Sequence, residues 1–263
     1  VDGLLVYHGL NAQNQPVKDE EGRQVRTAFV PEEGHTYFVA DFGQIELRCV
    51  AWLAQDKAML ATFARGGDIH KETAAQVFGV PLGAVTKEQR YIAKTGNFAI
   101  LYQITPMGLS QQVDRDVAWT TDFMRRYFET YSGVKAWIEE TKARARRYGY
   151  VEDPFGRRRW VPEVGSSQRR IREMGEREAV NMPVQSMAAG IVRLAMGALV
   201  KLQGKGAIDP WLEGGQVRAT IQAHDELGFE VRTDLLYELA WVVKTCMEGA
   251  APWMEGVSLK VDL

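Results

Sequence analysis

The chain has 263 residues, 46% of them hydrophobic and 25% charged, with a formal net charge of −2. That is enough for a sizeable core, or for two subdomains sharing one interface. No apolar run approaches the roughly 20 residues that span a bilayer, and the start, VDGLLVYHGLNAQNQP, lacks the basic region and small-residue cleavage site of a signal peptide. Secretion and membrane insertion are therefore not expected, and a monomeric cytoplasmic protein is. Cys49 and Cys246 lie in apolar periodic runs without a CxxC or histidine partner, so they read as buried reduced thiols.

In chain order, strand signals fall at about Tyr37 to Ala40, around Tyr150 to Trp160 as a hairpin through Pro154, Phe155 and Gly156, at Val217 to Ala223, at Leu227 to Val231 and at Ser258 to Val261. Helical periodicity runs through about Gln44 to Leu53, Ile69 to Phe78, Lys87 to Tyr102, Thr120 to Tyr131, Val134 to Tyr148, Gln168 to Asn181, Val184 to Gln203 and Leu235 to Gly249. Pro183 is expected to break or bend the helical stretch before it. There is no internal repeat, low-complexity tract or linker. The order of elements predicts an α+β fold: a small antiparallel sheet flanked by helices, with a mostly helical insertion. Charge is uneven. Between Lys142 and Arg172 ten Lys and Arg face three acids, a local +7 on an otherwise acidic chain. Such a segment is either a solvated helix face or a phosphate-binding patch.

Two segments end an apolar run on an aspartate: YFVADFGQIELR at Asp41, and ATIQAHDELGFEV at Asp225. Each acid alone is a common turn or cap residue. Together, at strand ends, they could hold two Mg²⁺ ions about 3.5–4 Å apart and stabilise both oxygens of an in-line displacement. In RYIAKTGNFAILY, Arg90, Lys94, Phe98 and Tyr102 recur every four residues and form a slowly drifting stripe on one helical face. Guanidinium and ammonium suit a triphosphate and rings suit a base or sugar; the stripe could equally be an amphipathic helix with snorkelling cations.

DFGQIELR, RYIAKTGNFAILY and AHDEL resemble, in this order, motifs A, B and C of the bacterial DNA polymerase I family (family A). The likeness extends through GGDIHKETA, GYVEDPFGRRRWVP and EREAVNMPVQ, faintly through LNAQNQP, and spans nearly the whole chain. The resemblance implies a right-hand polymerase fold without its thumb: residues 1–53 as the first part of the palm, 54–165 as fingers and 166–263 as the second part of the palm. It implies Asp41, Asp225 and the Phe42 carbonyl as metal ligands, with Glu226 as accessory acid. Arg90 and Lys94 would clamp the triphosphate, His70 would touch incoming phosphates, Phe98 would stack on the nucleotide and Tyr102 would hold the template stacking position. Gln44 and Glu46 join the nucleotide site, Glu46 as the gate against a ribose 2′-OH. Arg177, Asn181 and Gln185 would read minor-groove geometry, His224 would meet the primer terminus and Asn14 the primer backbone.

The chain departs from the family pattern at Gln103 (usually Gly), Gly43 (usually Ser), Ser186 (usually Gly) and Asp2-Gly3-Leu4 (usually Thr-Gly-Arg), and the stretch from Gly204 to Gly215 is longer than usual. These residues include neither the thumb nor the exonuclease domain of the family, so the chain reads as an excerpt of a longer polymerase. The function expected is template-directed 5′–3′ addition of deoxynucleotides to a primer 3′-OH, with two Mg²⁺ ions (Mn²⁺ as substitute), and with primer–template DNA and deoxynucleoside triphosphates as partners. The alternatives are a single-subunit RNA polymerase-like enzyme, against which Glu46 and Phe98 argue, and a catalytically silent nucleic-acid-binding fragment using the basic segment.

Overall fold

The structure, a computed structural model, describes residues 6–7, 30–203 and 214–263. Asn14, the LNAQNQP segment and the Asp2–Leu4 departure lie outside the described residues, as does most of the stretch from Gly204 to Gly215. The elements are β1 (Val6–Tyr7), β2 (His35–Phe42), α1 (Ile45–Ala54), α2 (Lys57–Ala64), α3 (Ile69–Phe78), α4 (Lys87–Leu101), α5 (Pro106–Val113), α6 (Val117–Thr130) and α7 (Ser132–Tyr148). They continue with β3 (Tyr150–Glu152), β4 (Arg158–Trp160), α8 (Arg169–Gln203), β5 (Val217–Ala223), β6 (Glu226–Arg232), α9 (Leu236–Glu248) and β7 (Val261–Asp262). The fold is α+β. The chain divides into two compact units: Val1–Ile45 with Ala189–Trp253 and Leu259–Leu263, and Glu46–Ala188 with Met254–Ser258.

The first unit is built on an antiparallel sheet of order β1-β2-β6-β5, with β7 also pairing with β2. Burial alternates strictly along β2, so Thr36, Phe38, Ala40 and Phe42 face inward. Phe38 stacks on Phe229 of β6 with centroids 5.8 Å apart, and α9 packs on β2 through a buried face that includes Leu239, Ala240 and Val243. Gly228 is required in β6: a Cβ there would lie 2.5 Å from both the Tyr37 Oη and the Ile221 Cγ2. The register of β5 shifts between Ala219 and Ile221, a bulge at which the Thr220 hydroxyl donates to the Gly228 carbonyl at 3.1 Å.

The second unit is mainly helical. Its short helix α2 and the distant α7 share one cap, the carboxylate of Asp56, which is only 2% exposed. Oδ1 accepts from the Ala58 and Met59 N–H groups at 3.1 and 3.0 Å. Oδ2 accepts from the Gly133 and Val134 N–H groups at 2.8 and 3.3 Å. One side chain thus satisfies the orphan donors of two helix starts. Gly96 in α4 lets α6 approach, since a Cβ there would sit 2.4 Å from Phe123 Cζ. The hairpin β3–β4 buries Val151 against Ala145, Val161, Val164 and Ala179. Its turn is organised by Asp153, which accepts from the Phe155 and Arg157 N–H groups, from the Arg157 guanidinium and from the Ser186 hydroxyl. Ser186, where the family usually has glycine, therefore ties the hairpin to α8.

One expectation needs correction. Helix α8 continues through Pro183 without a break. The proline costs the Ala179 carbonyl its helical N–H partner, but Ala179, Val180, Val184 and Met187 on either side are buried, and that packing holds both turns helical. The same helix is long and apolar enough, by length and composition, to cross a membrane, although no single run in the sequence is; 44% of its most apolar window is buried inside the protein.

Candidate active site

In the first unit, β2 ends on Asp41-Phe42 and the β5–β6 turn carries His224-Asp225. The β2–β6 register sets Asp41 directly opposite Glu226, and the Phe42 N–H donates to the Asp225 carbonyl at 3.3 Å. The backbones of the two sequence-distant aspartates are thus held at neighbouring positions of one sheet. On its other side Asp41 pairs with Asp262 of β7. Side chains directly opposite in a sheet share a face, so Asp41, Glu226 and Asp262 line up on one. Carboxylate oxygens are the donors that Mg²⁺ and Mn²⁺ prefer, so this donor set fits the expected ions. Asp262 was not among the residues expected: the strand signal at Ser258 to Val261 stops one residue short of it, and the strand observed is Val261–Asp262.

The turns around these acids are conformationally special. Gln44 and His224 adopt positive φ, 60° and 53°, a conformation costing an L-residue about 1–2 kcal/mol. Gln222 Nε2 donates to the His224 carbonyl at 2.7 Å. Gly43, where the family usually has serine, is not so constrained: an added Cβ would meet the Lys260 carbonyl at 3.6 Å and Asp262 Oδ2 at 3.7 Å, ordinary contacts.

In the second unit, α4 begins with a capping box, Thr86 with Gln89, and sets its stripe against the start of α3. Arg90 Nε donates to Asp68 Oδ2 at 2.6 Å, while Asp68 Oδ1 caps α3 through the His70 and Lys71 N–H groups. His70 lies 5.8 Å from the Phe98 ring. Asn97, 1% exposed, places its side-chain amide in hydrogen-bond contact with His70 Nδ1 at 2.8 Å. Lys94 is exposed. At the end of the stripe the Tyr102 hydroxyl donates to Glu46, 3.1 Å to Oε1 and 2.9 Å to Oε2. Gln103, where the family usually has glycine, holds φ 56°, and its amide donates to the Ile100 carbonyl at 3.0 Å; the left-handed backbone is the reason glycine suits that position. Asp68 and Asn97, which fix Arg90 and His70, went unpredicted because a cap and a buried amide look structural in sequence.

Burial and the Asp68–Arg90 pair set the charges here. Burial raises the Asp68 carboxyl, but hydrogen bonds from Arg90 and the Lys71 N–H and the Arg90 charge outweigh it, leaving it below the ordinary carboxylate range. His70, 2% exposed, is lowered from 6.5 to about 4, first by burial and, against the pull of Asp68, by the charges of Arg90 and Lys94. It is neutral at physiological pH. The unfolded chain takes up this proton near pH 6.5 and the folded chain only near pH 4, so stability present above pH 6.5 is lost as pH falls toward 4, by up to about 3 kcal/mol. Urea unfolding at stepped pH should show this slope, and His70→Gln should flatten it.

On α8, Arg177, Asn181 and Gln185 share one face, with Gln185 exposed and Asn181 Oδ1 buried without a hydrogen-bond partner among the described residues. The basic segment is more neutralised than its sequence window suggests. Lys142, Arg146, Arg157, Arg158, Arg159 and Arg169 pair with Glu139, Glu176, Asp153, Glu152, Glu178 and Glu173. Four of these acids lie outside the window. A separate group of potential ligands, Glu32, His35 and Glu230, sits toward the other end of β2, but the Arg218 guanidinium lies 2.9 Å from Glu32 and 3.6 Å from Glu230 and supplies the cation there.

A family model described as DNA polymerase family A matches residues 2–263. DNA polymerase I of Pseudomonas aeruginosa is 41% identical over 251 residues, covering 95% of this chain and 26% of that protein. The thermostable DNA polymerase I of Thermus filiformis is 43% identical over 250 residues, covering 95% and 29%. This chain therefore spans between a quarter and a third of the length of these relatives. Among solved structures, the POL domain of Pol1 from M. smegmatis, in complex with DNA primer-template and dNTP, matches with a TM-score of 0.83 and 35% identity, over 96% of this chain and 43% of that one. With a match over almost its full length and the acidic sheet end and α4 stripe in place, the chain belongs to DNA polymerase family A.

Proposed function

We propose that these residues carry the nucleotidyl-transfer centre of a template-directed DNA polymerase, adding deoxynucleotides to a primer 3′-OH, with residues 1–53 and 166–263 serving as palm and 54–165 as fingers. The observation that carries the reading is the β2–β6 register, which sets Asp41 opposite Glu226 and beside Asp225. Asp41, Asp225 and the Phe42 carbonyl would hold two Mg²⁺ ions, which would supply charge neutralisation for phosphoryl transfer; Glu226 adds a further acid. Arg90 and Lys94 take the triphosphate, and His70 contacts it as a neutral imidazole. Phe98 stacks on the nucleotide, and Gln44 and Glu46 line its sugar. Tyr102, by binding both Glu46 oxygens, fixes the carboxylate that would meet a 2′-OH. Arg177, Asn181, Gln185, His224 and Asn14 contact primer and template. Positioning and electrostatics supply the catalysis.

The test is Mg²⁺-dependent primer extension with dNTPs and rNTPs side by side, using the 263-residue chain and any longer natural chain that contains it. Incorporation of dNTPs is expected, and Glu46→Ala should raise rNTP use at least tenfold relative to dNTP use. Equal use of both by the parent would favour the RNA polymerase-like reading. DNA binding with no extension by either chain would favour the silent module.

A further inference from the structure

The polymerase reading leaves one prominent surface without a role. Helix α7 ends on Tyr148, and Gly149, at φ 74°, turns the chain into the β3–β4 hairpin. Tyr150 is directly opposite Trp160, and Glu152 opposite Arg158; these four share the hairpin's outer face, while Val151 points into the core. The rings run on from one another, with centroids 6.2 Å apart for Tyr148–Tyr150 and 5.2 Å for Tyr150–Trp160. Guanidinium groups flank them, Arg147 at 5.2 Å from the Tyr148 centroid and Arg158 at 4.7 Å from that of Tyr150. Yet Trp160 is 68% and Tyr148 49% exposed. Arg144 and Arg147 have no ion-pair partner among the described residues.

We propose that this face binds single-stranded nucleic acid, bases stacking on Trp160 and Tyr148 while Arg147 and Arg144 meet the phosphates. Every base presents a π-face, so the platform would be indifferent to sequence, and the positive edge favours a polyanion over an uncharged partner. The choice of occupant rests on the chain's acting on nucleic acid; none of the proposed catalytic residues is involved. In a polymerase the ligand would be unpaired template.

The experiment is fluorescence anisotropy of labelled dT12 and of a blunt hairpin duplex with the 263-residue chain. Tyr148→Ala/Trp160→Ala should weaken dT12 binding about tenfold or more and leave duplex binding within about twofold, Trp160→Phe should keep most of the affinity, and Arg147→Gln alone should weaken dT12 several-fold. Unchanged dT12 affinity in the double variant and in Arg147→Gln, or a parallel loss of duplex binding, would overturn the proposal. So would a drop in the sedimentation coefficient of the free chain on Trp160→Ala, which would make the face a contact between copies. Primer extension by Trp160→Phe, run in parallel, separates failure here from failure of the polymerase reading.

Discussion

Asp41→Asn and Asp225→Asn are each expected to cut primer extension by about a thousandfold or more, a loss of roughly 4 kcal/mol of transition-state stabilisation. The variants remove one oxygen charge each from a sheet end where Asp41, Glu226 and Asp262 stand side by side. Like charges at such spacing repel, so each substitution also relieves a repulsion of a few tenths of a kcal/mol in the folded protein. Single-turnover extension over a range of Mg²⁺ concentrations, with urea unfolding in parallel, checks both halves. Extension within tenfold of the parent at saturating Mg²⁺ would mean that these carboxylates do not hold the reacting metals.

Asp56→Ala is expected to destabilise the second unit by about 3–5 kcal/mol. Each helix loses a cap worth about 1–2 kcal/mol, and four N–H groups that the carboxylate now serves are left in a buried site with nothing to replace it. Asp56→Asn keeps one acceptor oxygen and should cost less, because only the pair of N–H groups facing the new amide is lost. The midpoint of urea unfolding, followed by far-UV circular dichroism, measures the difference. A shift under about 1 kcal/mol for the alanine variant would show that water or a neighbouring oxygen takes over the caps.

The long periodic elements were legible in the sequence. Ile69–Phe78 and Val217–Ala223 match the expected bounds to the residue, since each carries a clear apolar period bounded by breakers. Helices α2 and α5, eight residues each, were not foreseen: two turns are too few for a periodic signal, and α2 owes its start to Asp56, whose other partners lie 77 and 78 positions away. The division into units falls after Ile45 and Ala188, inside the segment of motif A and inside α8, at points where composition does not change. At the candidate site, the motif residues stood out because their types and spacing are unusual together. Asn97 and Asp262 did not, since an amide in a helix and an acid in a two-residue strand gain meaning only from what faces them.

The pairing within the basic segment has a consequence for how the chain would respond to ionic strength. Phosphate binding releases condensed counterions in proportion to the protein cations that displace them, with a slope of log affinity on log salt of about −0.7 to −0.9 per contact. A cation already neutralised by a carboxylate displaces little. Six of the segment's ten cations are so engaged, which leaves Arg144, Arg147, Arg170 and Arg172. This segment should therefore contribute a slope nearer −3 than the −7 to −9 that ten bare charges would give, making its grip on a polyanion comparatively tolerant of salt.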